Sequence, residues 1–322
     1  MKYRKLGRTG LKVSEIGFGA WGIGGDAYGP IDDSESSRAL RLSFEKGINF
    51  FDTADAYGAG RSERIIGATL KDVRDKIVIA SKAGIVSYKG TSMTQDFSVR
   101  HICESVEGSL RRLQTDYIDV YQLHSPTADV WNNDKTLKTL ENLKQSGKIR
   151  FIGVSVRSPD EGLRALSVDL FETLQVNFNI IDQRLIDCGL LQKAQMRDNA
   201  LIARTPLSFG FLSGGIDHDT EFGPDDHRAY WSRDQRNLWA GAMDKFKVLY
   251  TARGWSATCF ALKFCLAFSG ISTTIPGMTH CNHVEENTAA SDLDCLSAEE
   301  ISLIREIYSS SVFFIPAGKR SE

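Results

Sequence analysis

Asp52, Tyr57, Lys82 and His124 are residue types that can move a proton at a carbonyl or alcohol oxygen, and each follows an apolar run. Asn49-Phe50-Phe51 leads into Asp52, and a short loop carries Tyr57 back to the same end of that strand. Ile77-Val78-Ile79-Ala80-Ser81 stops at Lys82, and Ile118-Asp119-Val120-Tyr121-Gln122-Leu123 stops at His124. If these strands are parallel neighbours, the four groups meet at one rim. A phenol titrates near ~10 in water, too high for easy proton transfer at neutral pH. A nearby ammonium lowers that value and makes tyrosine a usable general acid or base. Lys82 can supply the charge, Asp52 can keep a pocketed lysine protonated, and His124 can donate to the substrate oxygen. Each residue alone has an ordinary structural reading, the aspartate as a turn former and the tyrosine as a half-buried core residue. Four compatible groups ending successive strands outweigh it.

The elements that would position them alternate in type. Strands are expected at Glu15–Ala20, Ile48–Thr53, Lys76–Ser81, Tyr117–Leu123, Arg150–Ser155, Thr173–Asn177, Ala200–Thr205 and Ser272–Pro276. Helices are expected between them, at Asp33–Lys46, Ser62–Lys71, Val99–Leu113, Lys135–Ser146, a stretch opening at Ser158-Pro159, and Gly189–Asp198. Asp32 and Glu35 have the spacing of an N-cap and its N3 partner. After the seventh strand comes a long segment, 207–232, holding Phe209, Phe211, Phe222, Tyr230 and Trp231, which reads as a lid. Helices at Arg233–Arg253 and Ser256–Phe268 follow, then Cys281–Ala290 after the last strand and a final helix capped by Ser297. Short apolar strands alternating with amphipathic helices indicate parallel pairing. Eight such units favour a closed (β/α)8 TIM barrel over an open sheet, with chemistry at the strands' C-terminal ends. Residues 2–14 read as an N-terminal hairpin plugging the other end, and no linker divides residues 1–322.

Composition excludes several classes. Hydrophobic residues make up 42% of the 322 and charged ones 25%, with a net charge of −2 and no basic block. That leaves no nucleic-acid footprint. No apolar run reaches the roughly 18 residues a membrane helix needs. Met1-Lys2-Tyr3-Arg4-Lys5-Leu6-Gly7 is no signal peptide, and six scattered cysteines read as reduced thiols of a cytoplasmic protein. His280-Cys281-Asn282-His283 is a polar helix start rather than a metal site, because two histidines and one thiol fall short of a tetrahedral set.

The runs Phe51-Asp52-Thr53-Ala54-Asp55-Ala56-Tyr57-Gly58, Ala80-Ser81-Lys82 and Tyr121-Gln122-Leu123-His124 resemble the aldo-keto reductase superfamily, as do Leu6–Ser14, Ile275-Pro276-Gly277 and Glu286-Asn287. The resemblance spans the chain. It implies the barrel, a nicotinamide cofactor, NADP(H) or NAD(H), and reversible reduction of aldehydes or ketones. It implies Tyr57 as acid/base, Asp52 and Lys82 tuning it, and His124 orienting the carbonyl. It implies Ser155 and Gln175 on the nicotinamide carboxamide, Arg204 where many members stack a tyrosine, and Thr205, Pro206, Leu207, Gly210 and Leu212 along the pyrophosphate. Ile275, Gly277, Thr279 and His283 would meet the adenosine phosphate, with Glu286 and Asn287 on adenine.

Gly17-Phe18-Gly19-Ala20-Trp21-Gly22 matches the dinucleotide pattern G-x-G-x-x-G, but Gly24, Gly25, Gly29 and Pro30 prevent a helix from opening there. The better reading is a first βα loop whose glycines, Gly19 among them, leave room for nicotinamide and whose Trp21 walls the pocket. Trp21, Tyr28, Tyr88, Trp131 and Trp231 are expected at the mouth. Aromatic faces mixed with polar groups suit a sugar or polyol at least as well as a plain aldehyde. Two other readings stand beside this one: a non-catalytic barrel of the ion-channel β-subunit kind, against which His124 argues, and an aldolase using Lys82 as a Schiff base. The sequence does not indicate an oligomeric state.

Overall fold

The computed structural model describes residues 1–89 and 92–315. Eight parallel strands form one sheet: β1 (Phe18–Gly19), β2 (Phe50–Asp52), β3 (Val78–Ala83), β4 (Ile118–His124), β5 (Ile149–Ser155), β6 (Thr173–Asn177), β7 (Ala200–Arg204) and β8 (Ile271–Thr274). They lie side by side in chain order, and parallel bridges Ile16↔Thr274 and Gly19↔Gly277 join the last edge to the first. The fold is the expected (β/α)8 barrel. Its helices include α1 (Asp33–Glu45), α2 (Arg61–Leu70), α3 (Val99–Leu113), α4 (Asp134–Gln145), α5 (Pro159–Leu166), α6 (Leu190–Met196), α7 (Ala257–Leu266) and α8 (Cys281–Ala289). Among the described residues no helix is long and apolar enough to cross a membrane.

Two cores result from the two faces of the sheet. Side chains at alternate strand positions pack outward under the helices, or inward in a smaller cluster of Phe50, Val78, Ala80, Val120, Ala200, Ile202 and Ile275. The N-terminal hairpin, Tyr3–Lys5 paired with Lys12–Ser14, completes the inner cluster with Leu6 and Val13, both fully buried. Burial of side chains of this size is worth roughly 1.5–3 kcal/mol each, enough to hold the plug in the barrel floor.

The structure departs from the sequence reading at several elements, among them a short helix at Arg184–Asp187 and a 3-10 stretch at Lys71–Lys76. Ile85–Lys89 and Ser92–Gln95 form a hairpin after β3 that alternation alone did not reveal. The single helix expected over Arg233–Arg253 is broken into Arg233–Ala240, a 3-10 turn at Met243–Phe246, and Lys247–Ala252. Gly241 caps the first piece, and buried Ala242, Met243 and Phe246 then turn the chain into the core.

Candidate active site

Strand parity builds the site. Inside the barrel, Phe50 precedes Asp52, Val78 and Ala80 precede Lys82, Val120 precedes Gln122 and His124, and Ile202 precedes Arg204. Each strand therefore starts with an apolar inward residue and ends with a polar one. Register brings the ends together: Lys82 pairs with Gln122, His124 with Ser155, and Ser155 with Gln175.

Lys82 is fully buried, and its Nζ lies 2.5 Å from Asp52 Oδ1, 2.9 Å from the Thr53 carbonyl and 3.3 Å from the Tyr57 hydroxyl. The second carboxylate oxygen of Asp52 accepts from Gln175 Nε2 at 2.6 Å and from Gln122 Nε2 at 3.2 Å. All four expected groups thus converge, with the His124 ring edge-on to Tyr57 at 5.7 Å between centroids. Gln122 is a site residue that the sequence reading missed, although its position two before His124 puts it on the same inward face. A Cβ on Gly153 would stand 3.0 Å from the Gln122 side chain and 2.2 Å from Thr173 Oγ1, so glycine there makes room for both.

Burial, reinforced by the Asp52 carboxylate, pushes the Tyr57 phenol well above its ordinary value, and the Arg204 guanidinium only partly opposes this. The phenol is therefore held protonated, contrary to the expectation that Lys82 would bring it down. Burial also draws the Lys82 ammonium down, while Asp52 pulls it back up. His124 is held neutral, well below the usual histidine range, by burial and then by Lys82 and Arg204. Such a site offers a neutral acid and a neutral imidazole beside a paired ammonium.

A cleft of about 1650 Å³ opens over these groups, walled by Asp52, Tyr57, His124 and Gln175. Gly19, Trp21, Arg204, Thr205, Pro206, Leu207 and Gly210 line it, as do Ile275, Gly277, Thr279, His283, Glu286 and Asn287. Ser155 is fully buried and donates to Gln175 Oε1 at 3.3 Å. Leu212 is also fully buried, and its amide donates to the Leu207 carbonyl at 3.1 Å, as does that of Gly210 at 2.9 Å. Those amides are already engaged within the loop. Trp21, Tyr28, Tyr88 and Trp231 face the cleft, whereas Trp131 is 8% exposed and packs edge-on against Phe171 in the core. Trp131 is thus a packing residue, because its apolar ring is better buried under the helices than left at the mouth. The first-loop glycines serve the protein itself: a Cβ on Gly19 would stand 2.7 Å from the Ile275 carbonyl oxygen, and one on Gly22 2.6 Å from Thr279.

The segment after β7 roofs the cleft. Thr205, Ser208 and Phe209 adopt left-handed backbone conformations, a cluster of local strain at the cleft wall. Further on, Asp226 bridges to Tyr28, and Arg228 grips Asp226 while its guanidinium lies over the Tyr28 and Phe222 rings. His227, also missed in the sequence, has Nδ1 2.7 Å from the Ala27 carbonyl, which makes that nitrogen the donor. Its ring packs among Trp21, Tyr28 and Phe209 at 4.6, 4.9 and 5.1 Å. A separate cavity of about 590 Å³ beside the N-terminal hairpin, lined by Arg4, Asp198 and Asn199, holds none of the candidate groups.

The model of the Aldo/keto reductase family matches residues 15–309. The chain belongs to the aldo-keto reductase family. It is 34% identical to aldo-keto reductase YhdN of Bacillus subtilis over 73% of this chain and 71% of that protein. It is 31% identical to the NADH-specific methylglyoxal reductase of Escherichia coli, covering 95% and 98% of the two chains. The glycerol dehydrogenase AKR11B4 of Gluconobacter oxydans superposes with a TM-score of 0.83 at 28% identity, over 99% of each chain. As a member of this family the protein is an oxidoreductase that uses a nicotinamide cofactor on a carbonyl or alcohol.

The residues present suit such a cofactor. Asn287 is 2% exposed and its Nδ2 has no partner, and Arg204 Nε is likewise buried and unpaired. Both are donors set in the cleft wall. Gly277 lines the same cleft, and a Cβ there would meet nothing within 4 Å, so the cleft is open at that point.

Proposed function

We propose that the protein reversibly reduces a hydroxylated aldehyde or ketone, of the sugar or polyol class, with Tyr57 as general acid and base. The observation that carries this reading is the Tyr57 hydroxyl 3.3 Å from an ammonium that is itself buried and held by Asp52. A bound nicotinamide supplies a hydride to the carbonyl carbon, or removes one from the alcohol. The Tyr57 hydroxyl donates its proton to the carbonyl oxygen as charge develops there. The Lys82 ammonium stabilises the phenolate that remains, and Asp52, fixed by Gln122 and Gln175, keeps the ammonium in place. Neutral His124 orients the carbonyl and donates to its oxygen.

In this reading Ser155, Gln175 and Arg204 hold the nicotinamide end of NADP(H) or NAD(H). Thr205, Pro206, Leu207 and Gly210 follow the phosphates, and Ile275, Gly277, Thr279, His283, Glu286 and Asn287 take the adenosine. Trp21, Tyr28, Tyr88 and Trp231 offer aromatic faces, and the charged Asp26 and Arg228 lie among them in the cleft lining. That mixture suits a polar substrate carrying hydroxyls. A screen of plain aldehydes, hydroxyaldehydes, ketoses and polyols, followed by absorbance of the reduced cofactor, tests the assignment. Higher kcat/KM for the hydroxylated members is expected; a consistent preference for the plain ones would refute the substrate class.

A paired ammonium also argues against a Schiff base at Lys82, since the nucleophile there must be the free amine.

A further inference from the structure

Glu35 occupies the third position of α1, where a glutamate ordinarily reaches back to its own N-cap. Here it reaches to the start of the neighbouring helix α8 instead. Glu35 Oε1 accepts the backbone N–H of Cys281, the first residue of α8, at 3.3 Å, and lies 3.7 Å from His280 Nδ1. Glu35 Oε2 pairs with the Arg38 guanidinium. The amino end of α8, where the helix dipole would draw an anion, thus already holds a carboxylate from another helix.

Helix α8 itself carries no lysine or arginine to compensate. His283 Nδ1 lies 3.4 Å from the Thr279 amide, which donates to it, and burial and His280 hold the imidazole below the usual range. Glu286 stands one turn further along. Independently, Asn287 on the same helix turns a buried, unpartnered amide donor toward this end of the cleft, which marks it as a place for a polar ligand.

We infer that Glu35 makes this protein select NADH against NADPH. The inference rests on the reading that the α8 end of the cleft takes the adenosine half of the cofactor. A 2′-phosphate entering there would meet the Glu35 carboxylate at the amides it needs. It would also find Arg38, the nearby cation able to neutralise it, already paired. NADH carries no charge at that position and is not penalised. Because Glu35 and Arg38 reach solvent, the discrimination is moderate, on the order of tenfold, as expected for one charge at a helix terminus.

The test is a titration of the full chain with each reduced cofactor, read by quenching of intrinsic tryptophan fluorescence, which Trp21 in the cleft wall should report. The wild-type protein should bind NADH about tenfold more tightly than NADPH. In Glu35→Gln, which keeps the side chain's size, NADPH affinity should rise by a similar factor while NADH affinity stays within about twofold. Adding Arg38→Ala to that variant should remove part of the gain, since Arg38 is then no longer free to meet the phosphate. An unchanged NADPH affinity in Glu35→Gln would overturn the inference. Equal changes for both cofactors would too, since they would give Glu35 only a structural part. If the folded wild-type chain bound neither cofactor, the cofactor reading itself would fail, and this inference with it.

Discussion

The Tyr57 hydroxyl and the Lys82 ammonium stand 3.3 Å apart with no water-exposed path around the lysine, which is fully buried. The tyrosine proton is therefore controlled by a charge that solvent does not screen. The same surroundings keep that proton on oxygen, since burial and Asp52 both oppose the phenolate.

This sets a sign for the pH dependence. Reduction needs the protonated phenol, and a raised value keeps it protonated throughout the neutral range. Oxidation needs the phenolate, whose fraction grows about tenfold per pH unit below the phenol's own value. Reduction should therefore be nearly flat between about pH 6 and 9, and His124, held neutral, should add no step near its ordinary value. Oxidation should climb across that range. Profiles of kcat/KM in both directions check this. Reduction that fell away above pH 7 would show a phenol much lower than the structure implies.

Lys82 and His124 should fail in different ways. Lys82→Met leaves Asp52 facing Tyr57 without a cation, which raises the phenol's proton affinity further. Alcohol oxidation should drop more than carbonyl reduction, and its pH profile should move upward. His124→Ala should instead raise KM and lower kcat without moving either profile. Identical profiles for the two variants on every substrate would contradict the division.

Asp52 carries a stability consequence as well. Asp52→Asn strips a buried ammonium of its carboxylate, and loss of one partner from such a pair costs about 3–5 kcal/mol. Gln122→Leu removes only one of several donors to that carboxylate, for about 1.5–3 kcal/mol. Urea unfolding should rank the two variants in that order. A Gln122→Leu protein as weakened as Asp52→Asn would mean that Gln122, and not Lys82, is the principal partner of Asp52.

Much of this arrangement was legible in the chain because barrel strands have a period of two. Once Asp52, Lys82 and His124 are read as strand ends, parallel pairing leaves them no place but one rim. Gln122 escaped notice because a glutamine inside a strand gives no signal of its own; only counting back from His124 reveals its direction. Trp131 misled for the opposite reason, since an indole in a polar loop reads the same whether it turns outward or inward, and packing on Phe171 decides. His227 and Tyr28 come together over a separation of 199 positions, and nothing local in either segment announces that contact. Glu35 shows the limit of local rules most clearly. Its spacing from Asp32 suggested a cap on its own helix, and the tertiary fold offered it Cys281 instead.

The central claim is that Tyr57 transfers the proton, and Tyr57→Phe addresses it most directly because only the hydroxyl is lost. Single-turnover reduction should be slower by on the order of 10²–10⁴, the usual contribution of a general acid, while the reduced cofactor's dissociation constant stays within about twofold. Turnover near that of the wild-type protein, with cofactor binding intact, would contradict the account.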